Sequence, residues 1–557
     1  MKKFILSITV FLTAVFNCIS YGQNSLKLKK IVEASGSFSE RKKFIPLIEG
    51  INNFYESNDY LISESSYNFL NPNTLSVKGY SHVFAFDKES LELNEITLLE
   101  KESKKIFKEK TGESVRDLLK MSCFYIDENT RDFIFTFRVK DKSSDKPVVK
   151  TVLFRKNKQN NLIDFKVLFQ IPSLSSSNYG NVVKNYYTKD KSKICIVNTL
   201  PVEKGRNQII EMRLFDAKNF NLINIKQIEL PIIYDDKAKN VTFSHYNFEN
   251  GFVLYHIIGE EKDKKKDEPE DKVFLTIFFN ENEDFQPKLT TVPLKHISNL
   301  DDYEVCKSST ADFALGLALT HGENSKKYVT YTFLDLEKNK TTPFKTIEVP
   351  YKNQFSLEII GLYERNPGEL IAHIENQKIT ITREFYTSSS GTRTSRTVYH
   401  KEIFNYFGIL LKDDLFNEIY KFSSYVHFSS LGQQLYKVLP LDETNSKFIL
   451  YCNYYSRHLK KILEPNLKLE NEFGSENKKF NLSELDGKPN VNFVSYFIID
   501  TYNTELKPQF LFGKYPDNDQ PIDVLALPVL NKPYGRVFKR FILISYPKFY
   551  IGSTEFQ

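Results

Sequence analysis

Tryptophan is absent from the 557 residues, methionine occurs three times and cysteine five. Glycine and proline number only 21 each, which excludes a collagen-like fibre and a Pro/Gly-rich disordered tail. Neither sign of charge prevails. Lys and Arg total 76 against 70 Asp and Glu, leaving a formal +6 that is too dilute for the concentrated basic face of a nucleic-acid binder. The densest basic run, Lys264-Lys265-Lys266, is bracketed by Glu260, Glu261 and Asp263 and by Asp267, Glu268, Glu270 and Asp271. Mixed charge of this kind describes a solvated loop. Catalytic signatures are missing as well: no HExxH, HxH, GxSxG, P-loop or GxGxxG pattern occurs, which argues against zinc hydrolases, α/β-hydrolases, NTPases and dinucleotide enzymes. SxxK is matched at Ser39–Lys42 and Ser143–Lys146 and KTG at Lys110–Gly112, but no SDN accompanies them, and a chain this rich in Ser and Lys meets such patterns by chance.

Phenylalanine and tyrosine are plentiful, at 47 and 32, and hydrophobic residues make up 41% of the chain. That is enough for a large core, and the aromatic excess leans toward sheet. Met1-Lys2-Lys3, the apolar run Phe4 to Ile19, and Ser20 and Gly22 three residues and one residue before a cut ahead of Gln23 together read as a secretory signal peptide over 1–22. Its removal takes two lysines and no acid, lowering the formal charge from +6 to +4. No later run of about 18 apolar residues predicts a span in the mature chain. Cys18 follows Phe16-Asn17, a poor fit to a lipoprotein signal, so a soluble exported protein is expected. Of Cys123, Cys195, Cys306 and Cys452, none belongs to a CxxC pair. Export permits disulfides among them, but Cys195 and Cys452 lie in apolar runs and read as buried small hydrophobes.

A repeat organises the chain. An alternating strand, a polar turn and a second strand ending in an apolar-Pro step appear at Met212–Pro231 and again at Val329–Pro350, with weaker copies at Val152–Pro172 and Leu275–Pro293. The closing prolines, Pro172, Pro231, Pro293 and Pro350, are 59, 62 and 57 residues apart. Proline lacks the N–H of a central ladder and belongs at a strand end or edge. Strand-like runs such as Ile194–Val197, Gly251–His256, Phe313–Ala318 and Phe448–Cys452 precede the copies or recur later. Four short strands per unit of this length predict an all-β fold: a β-propeller of about seven blades, six to eight, over residues 76–557. Closure is expected where the C-terminal strands join a hairpin near residues 78–100, which removes open edges; two open-ended sandwiches are the alternative. Residues 23–75 read as a helical or irregular segment, with roughly helical spacing in Leu26–Glu33 and Arg41–Ser57 around the break Ser35-Gly36-Ser37. A helical insert is expected near 104–121 and a polar loop at Tyr386–Ser395.

No catalytic, cofactor-binding or metal residue is assigned. Asn280–Asp284 and Asp517–Asp519 collect oxygen ligands, but neither has EF-hand spacing and both suit turns. Tyr186-Tyr187 and Tyr454-Tyr455 read as half-buried strand residues rather than sugar platforms.

The basic n-region, the ending Ser20-Tyr21-Gly22-Gln23, the body rich in Lys, Asn, Phe and Tyr, and the similar hairpins Phe86-Asp87 to Leu93 and Phe215-Asp216 to Leu222 resemble exported propeller-like proteins of the Bacteroidota. The resemblance implies an envelope location and no catalytic residue. The ending GSTEFQ does not look like a surface-sorting domain of that group, which points to the periplasm or the outer membrane. The expected function is a non-catalytic binding or scaffold subunit of a bacterial cell-envelope complex, docking through 24–75, 104–121 or 386–395. The alternative is an enzyme acting on glycans or peptides at the propeller channel.

Overall fold

In the computed structural model, the described residues are 26–33, 53–56, 60–70, 77–87, 93–98, 100–113, 115–126, 133–141, 148–157, 161–174, 180–234, 243–259, 272–295, 297, 299–323, 325–351, 355–387, 393–428, 436–440, 444–455, 492–502, 508–510, 525–528, 541–545 and 548–556. The signal-peptide expectation, the break at 35–37, Lys264–Lys266 and Asp517–Asp519 lie outside them. Two compact units form, residues 43–433 and the combination of 1–42 with 434–557.

The larger unit holds six antiparallel meander sheets, here called blades 1–6 in chain order. Blade 1 runs Asn53–Glu56, Tyr60–Leu70, Val77–Asp87, Leu93–Leu98, and blade 2 runs Val115–Ile126, Phe133–Asp141, Val148–Lys156, Leu162–Pro172. Blade 3 comprises Asn181–Tyr187, Lys193–Leu200, Asn207–Asp216 and Leu222–Ile233; blade 4 comprises Ser244–Phe248, Gly251–Gly259, Lys272–Asn280 and Lys288–Pro293. In blade 5, Asn299–Ser308, Ala314–Glu323 and Lys326–Asp335 are followed by two short strands, Lys340–Thr341 and Lys345–Glu348, which both pair with the third. Blade 6 is Ser356–Asn366, Glu369–Thr387, Arg393–Leu411 and Asn417–Phe428. The smaller unit contains a sheet of Tyr436–Pro440, Lys447–Tyr455, Asn492–Asp500 and Pro508–Phe510. Its other sheet pairs Leu26–Glu33 with Lys548–Phe556, then Phe541–Ser545 and Leu525–Pro528. The fold is a β-propeller, and among the described residues the strands form eight four- or five-stranded sheets.

The physical basis of the repeat is visible in burial. Ala314–Glu323 is buried at every position but its last, whereas the outermost strand Leu222–Ile233 alternates exposed and covered residues. A strand sandwiched between neighbouring blades is apolar on both faces, and an edge strand is apolar on one. Alternation along Ala314–Glu323 assigns the two faces. Leu315, Leu317 and Leu319 pack with Val253, Phe274 and Phe278 of blade 4, while Ala318 packs with Leu370, Ala372 and Phe407 of blade 6. Large side chains thus fill one interface and small ones let the other close. At Gly316 a Cβ would sit 2.7 Å from Leu370 Cδ2 and 3.3 Å from Cys306 Sγ, so the approach of blades 5 and 6 requires glycine there. Similar aromatic and aliphatic clusters join blades 2 and 3, and blades 3 and 4.

The four repeat prolines fall where expected. Pro172 and Pro293 end their strands, Pro231 lies near the end of Leu222–Ile233, and Pro350 follows Lys345–Glu348 by two residues. All belong to the outermost run of their sheet, where a missing N–H costs no ladder bond.

Four expectations are corrected. Residues 23–75 were expected to be helical or irregular, yet Leu26–Glu33, Asn53–Glu56 and Tyr60–Leu70 are strands. Leu26 and Leu28 satisfy a period of two while Leu28, Ile31 and Val32 keep a helical spacing, and pairing of Leu26–Glu33 with Tyr550–Phe556 decides between them. The C-terminal strands therefore do not join residues 78–100; that hairpin is completed by Asn53–Glu56 and Tyr60–Leu70. The helix occupies Glu100–Thr111 rather than 104–121. It stops at Gly112, which takes φ +74 and donates its N–H to Lys108 O at 2.8 Å, a left-handed cap that only glycine adopts cheaply, and the strand Val115–Ile126 begins at once. Finally, where a polar loop was expected at 386–395, residues 386–387 and 393–395 are strand, paired across a long hairpin. Among the described residues no helix is long and apolar enough to cross a membrane.

Candidate functional site

The first strand of each blade stands at one edge of its sheet, and its free edge leaves backbone N–H groups that must find other partners. In blades 5 and 6 acidic side chains supply them. Asp302 accepts the N–H of Ile359 at 2.8 Å, and Asp301 accepts that of Leu357 at 3.3 Å together with the Lys327 ammonium at 2.6 Å. Thr320 Oγ1 donates to Leu357 O at 2.5 Å from the same side. Two adjacent aspartates at the start of Asn299–Ser308 thus hold the first strand of the next blade.

This arrangement concentrates perturbed titratable groups. Burial pushes the Asp302 carboxyl up to about 6, opposed by the Ile359 N–H. Burial raises Glu304 to about 7, opposed by the N–H of Val305 and assisted by the charge of Asp302. Residues two apart on a strand share a face and lie about 7 Å apart along it, so the pair offers one carboxylate and one carboxylic acid near neutral pH. Tyr303 and Tyr255 are raised by burial and by the nearby acids. On the first strands of blades 3 and 4 stand two bases. Desolvation lowers Lys184 to about 8, and desolvation with the charge of Lys184 lowers His245 to about 4. The first strands of blades 3 and 5 therefore carry a base, Lys184, and two acids, Asp302 and Glu304, poised around neutrality, a composition able to exchange protons with a bound polar ligand.

A second feature is apolar. The outermost strands of blades 2 and 3 expose Ile163, Val167, Leu222, Ile223, Ile225 and Ile233. Lys166 Nζ reaches from the outer strand of blade 2 to Asn219 O at 3.0 Å and Asn221 Oδ1 at 2.8 Å in the turn that leads into Leu222–Ile233.

Residues singled out by sequence are placed as follows. Cys195 and Cys306 are buried free thiols, and burial raises both. Tyr186 is buried against Phe252 and donates to Glu281 at 2.6 Å, a packing role; Tyr187 is half-buried. In Asn280–Asp284, Asn280 Oδ1 accepts the Asn282 N–H at 3.0 Å and Asp284 is left-handed, the turn chemistry expected of such residues. Lys288 pairs with Glu283 at 2.8 Å, and Glu281 accepts the N–H of Lys189 at 3.1 Å. Among the described residues no group of three or more His, Cys, Asp or Glu is arranged to hold a metal. The side chains of Cys123, Cys452, Tyr454 and Tyr455 lie outside the described residues. Sequence reasoning missed Lys184, His245, Asp302 and Glu304. Only Asp301-Asp302-Tyr303-Glu304, three acids in four residues opening a strand, carried a signal.

The chain matches no protein-family model and no curated protein sequence. Solved structures with similar arrangements include the α-L-arabinofuranosidase Arb93A from Fusarium graminearum, at 8% identity over 67% of this chain and 98% of that one, TM-score 0.33. The β-propeller domain of the Trilobed protease from Pyrococcus furiosus is similar at 10% identity, covering 62% and 92%, TM-score 0.23. Drosophila Plexin A in complex with Semaphorin 1b is similar at 8% identity, covering 95% and 88%, TM-score 0.30.

Proposed function

We propose that this protein is a non-catalytic binding or scaffold subunit of a bacterial cell-envelope complex, located in the periplasm or at the outer membrane. The observation that carries the reading is the pair of apolar edges on blades 2 and 3. Ile223, Ile225 and Ile233 stand exposed although Ile228 and Ile232 of the same strand pack against the cluster joining blades 3 and 4, and exposed apolar side chains in such number mark contact with another protein. The outer strand Leu222–Ile233 also stands last in its sheet, so a partner could add both side-chain burial and backbone pairing there. The apolar run behind Lys2-Lys3 supports export, and the near-balanced charge supports a protein partner over nucleic acid.

The test is purification of the tagged protein from native membranes, followed by mass spectrometry, with Ile223→Asp/Ile225→Asp as the disrupting variant. The wild type is expected to bring a partner that the variant loses while remaining folded by thermal unfolding. A protein that purifies alone, or a variant that keeps every partner, overturns the reading.

A second reading is favoured by Asp302 and Glu304. Two carboxyls about 7 Å apart, one of them protonated near neutrality, are the equipment of an acid–base hydrolase acting on glycans or peptides. Hydrolysis of a polysaccharide or peptide library that is abolished in Glu304→Gln would establish it. No turnover by the wild type would dismiss it.

A further inference from the structure

Blade 6 contains two 19-residue strands, Glu369–Thr387 and Arg393–Leu411, more than the other blades need. The first strand of the blade pairs only as far as Gln377, and the outer strand only as far as Lys401. Beyond those points, among the described residues, the two long strands pair only with each other, continuously to Thr387 opposite Arg393. At about 3.3 Å per residue this is a two-stranded arm roughly 30 Å long. Such a ribbon has no core of its own and is marginal by itself in water.

The register sorts its residues. On one face, Lys378 stands opposite Glu402 and Glu384 opposite Arg396, so each acid of the arm meets a base directly across the ladder. The other face has no acid at all. It carries Arg383, Arg393 and Lys401, interspersed with Ile379, Ile381, Phe385 and Tyr399. Ile379 and Ile381 are 47% and 63% exposed, and Arg383 is exposed beside them. By register, the acids of the arm thus stand across from bases on one face, while the other face carries three cations and no acid among apolar residues.

We propose that this face of the arm docks on an anionic lipid bilayer surface. The inference deepens the envelope reading and rests on it for access to a membrane. Charge complementarity selects the partner: unopposed cations are attracted to anionic headgroups, while isoleucine and aromatic residues between them gain by entering the headgroup–acyl boundary. A nucleic-acid groove would reward the cations but leave Ile379 and Ile381 against polar surface. An acidic protein would do so unless it also offered an apolar strip.

The test uses the purified full-length chain in co-sedimentation with vesicles of phosphatidylcholine, or of phosphatidylcholine with phosphatidylglycerol. Binding is expected only to the second, weakening as salt is raised. R383Q/R393Q/K401Q should lower partition about a hundredfold at low salt, whereas the charge-neutral K378Q/E402Q should leave it unchanged. Replacing residues 379–400 by a short turn removes the arm without touching the blade core, and it should abolish binding even if the triple variant folds poorly. Equal partition onto neutral and anionic vesicles, or full binding by the armless chain, overturns the proposal. So does binding in which the triple variant matches the wild type. A chain that binds no vesicles yet still co-purifies with a protein partner sinks the arm alone; one that binds vesicles but purifies alone sinks the scaffold reading alone.

Discussion

Gly316→Ala tests the packing logic of the blades most directly. The added methyl would lie 2.7 Å and 3.0 Å from the two Leu370 methyls and 3.3 Å from Cys306 Sγ, all at a fully buried interface. Overpacking a core typically costs about 1–3 kcal/mol. Replacing glycine in a strand recovers about 0.5–1 kcal/mol of backbone entropy, because Gly316 lies among the residues without a positive φ and alanine suits its conformation. The net expectation is a loss of about 0.5–2 kcal/mol. If residues 43–433 unfold together, an entropy of about 2 cal/mol/K per residue converts that loss into a Tm decrease of about 1–2 °C, measurable by scanning calorimetry. Leu370→Val alone should cost about 1 kcal/mol by opening space. Combined with Gly316→Ala, it should be no worse than either single variant, because the new methyl occupies the vacated volume. That non-additivity of about 1 kcal/mol is the decisive quantity. Additive losses, or a Gly316→Ala protein as stable as the parent, would show that small residues on this face of Ala314–Glu323 do not set the approach of blade 6.

His321 and His373 are buried, and desolvation lowers them to about 4 and about 3. Below an unfolded value near 6.5 the unfolded chain takes up protons the native state refuses, so stability should fall between about pH 6.5 and 4. His373→Gln should flatten that loss in denaturant titrations at several pH values. Glu304 works the other way. Its folded value of about 7 exceeds its ordinary 4.5, so stability is full below pH 4.5 and declines as pH rises through 7. Glu304→Gln should remove that decline, and an unchanged slope between pH 5 and 8 refutes the burial argument. Cys195 and Cys306 should resist a thiol reagent in the native protein and react fully in denaturant. Rapid native labelling of both would contradict their placement.

The architecture was largely legible because its signals are local. A strand covered on both faces must be apolar throughout, and an outer strand must end in something that tolerates a missing donor. The spacing of Pro172, Pro231, Pro293 and Pro350 therefore marks successive sheets, and Ile194–Val197 and Gly251–His256 mark the strands inside them. The stop at Gly112 was also written in the chain, since glycine there both weakens the helix and caps it.

What tertiary structure alone decided is pairing over distance. Leu26–Glu33 has apolar spacing compatible with helix or strand, and only the waiting edge of Lys548–Phe556 resolves it, more than 500 residues away. Tyr386–Ser395 looks like a polar loop because a solvated two-stranded arm needs no apolar face against a core. Its character lies in which residue stands across from which. The acids of Asn299–Ser308 showed in the sequence only as a cluster, without their chemistry, for the same reason. Asp302 and Glu304 are ordinary carboxylates by composition, and they become proton-exchanging groups only where neighbouring blades exclude water from them. Periodicity is a property of a segment and survives in sequence; desolvation and register are properties of two segments brought together, and these arise only on folding.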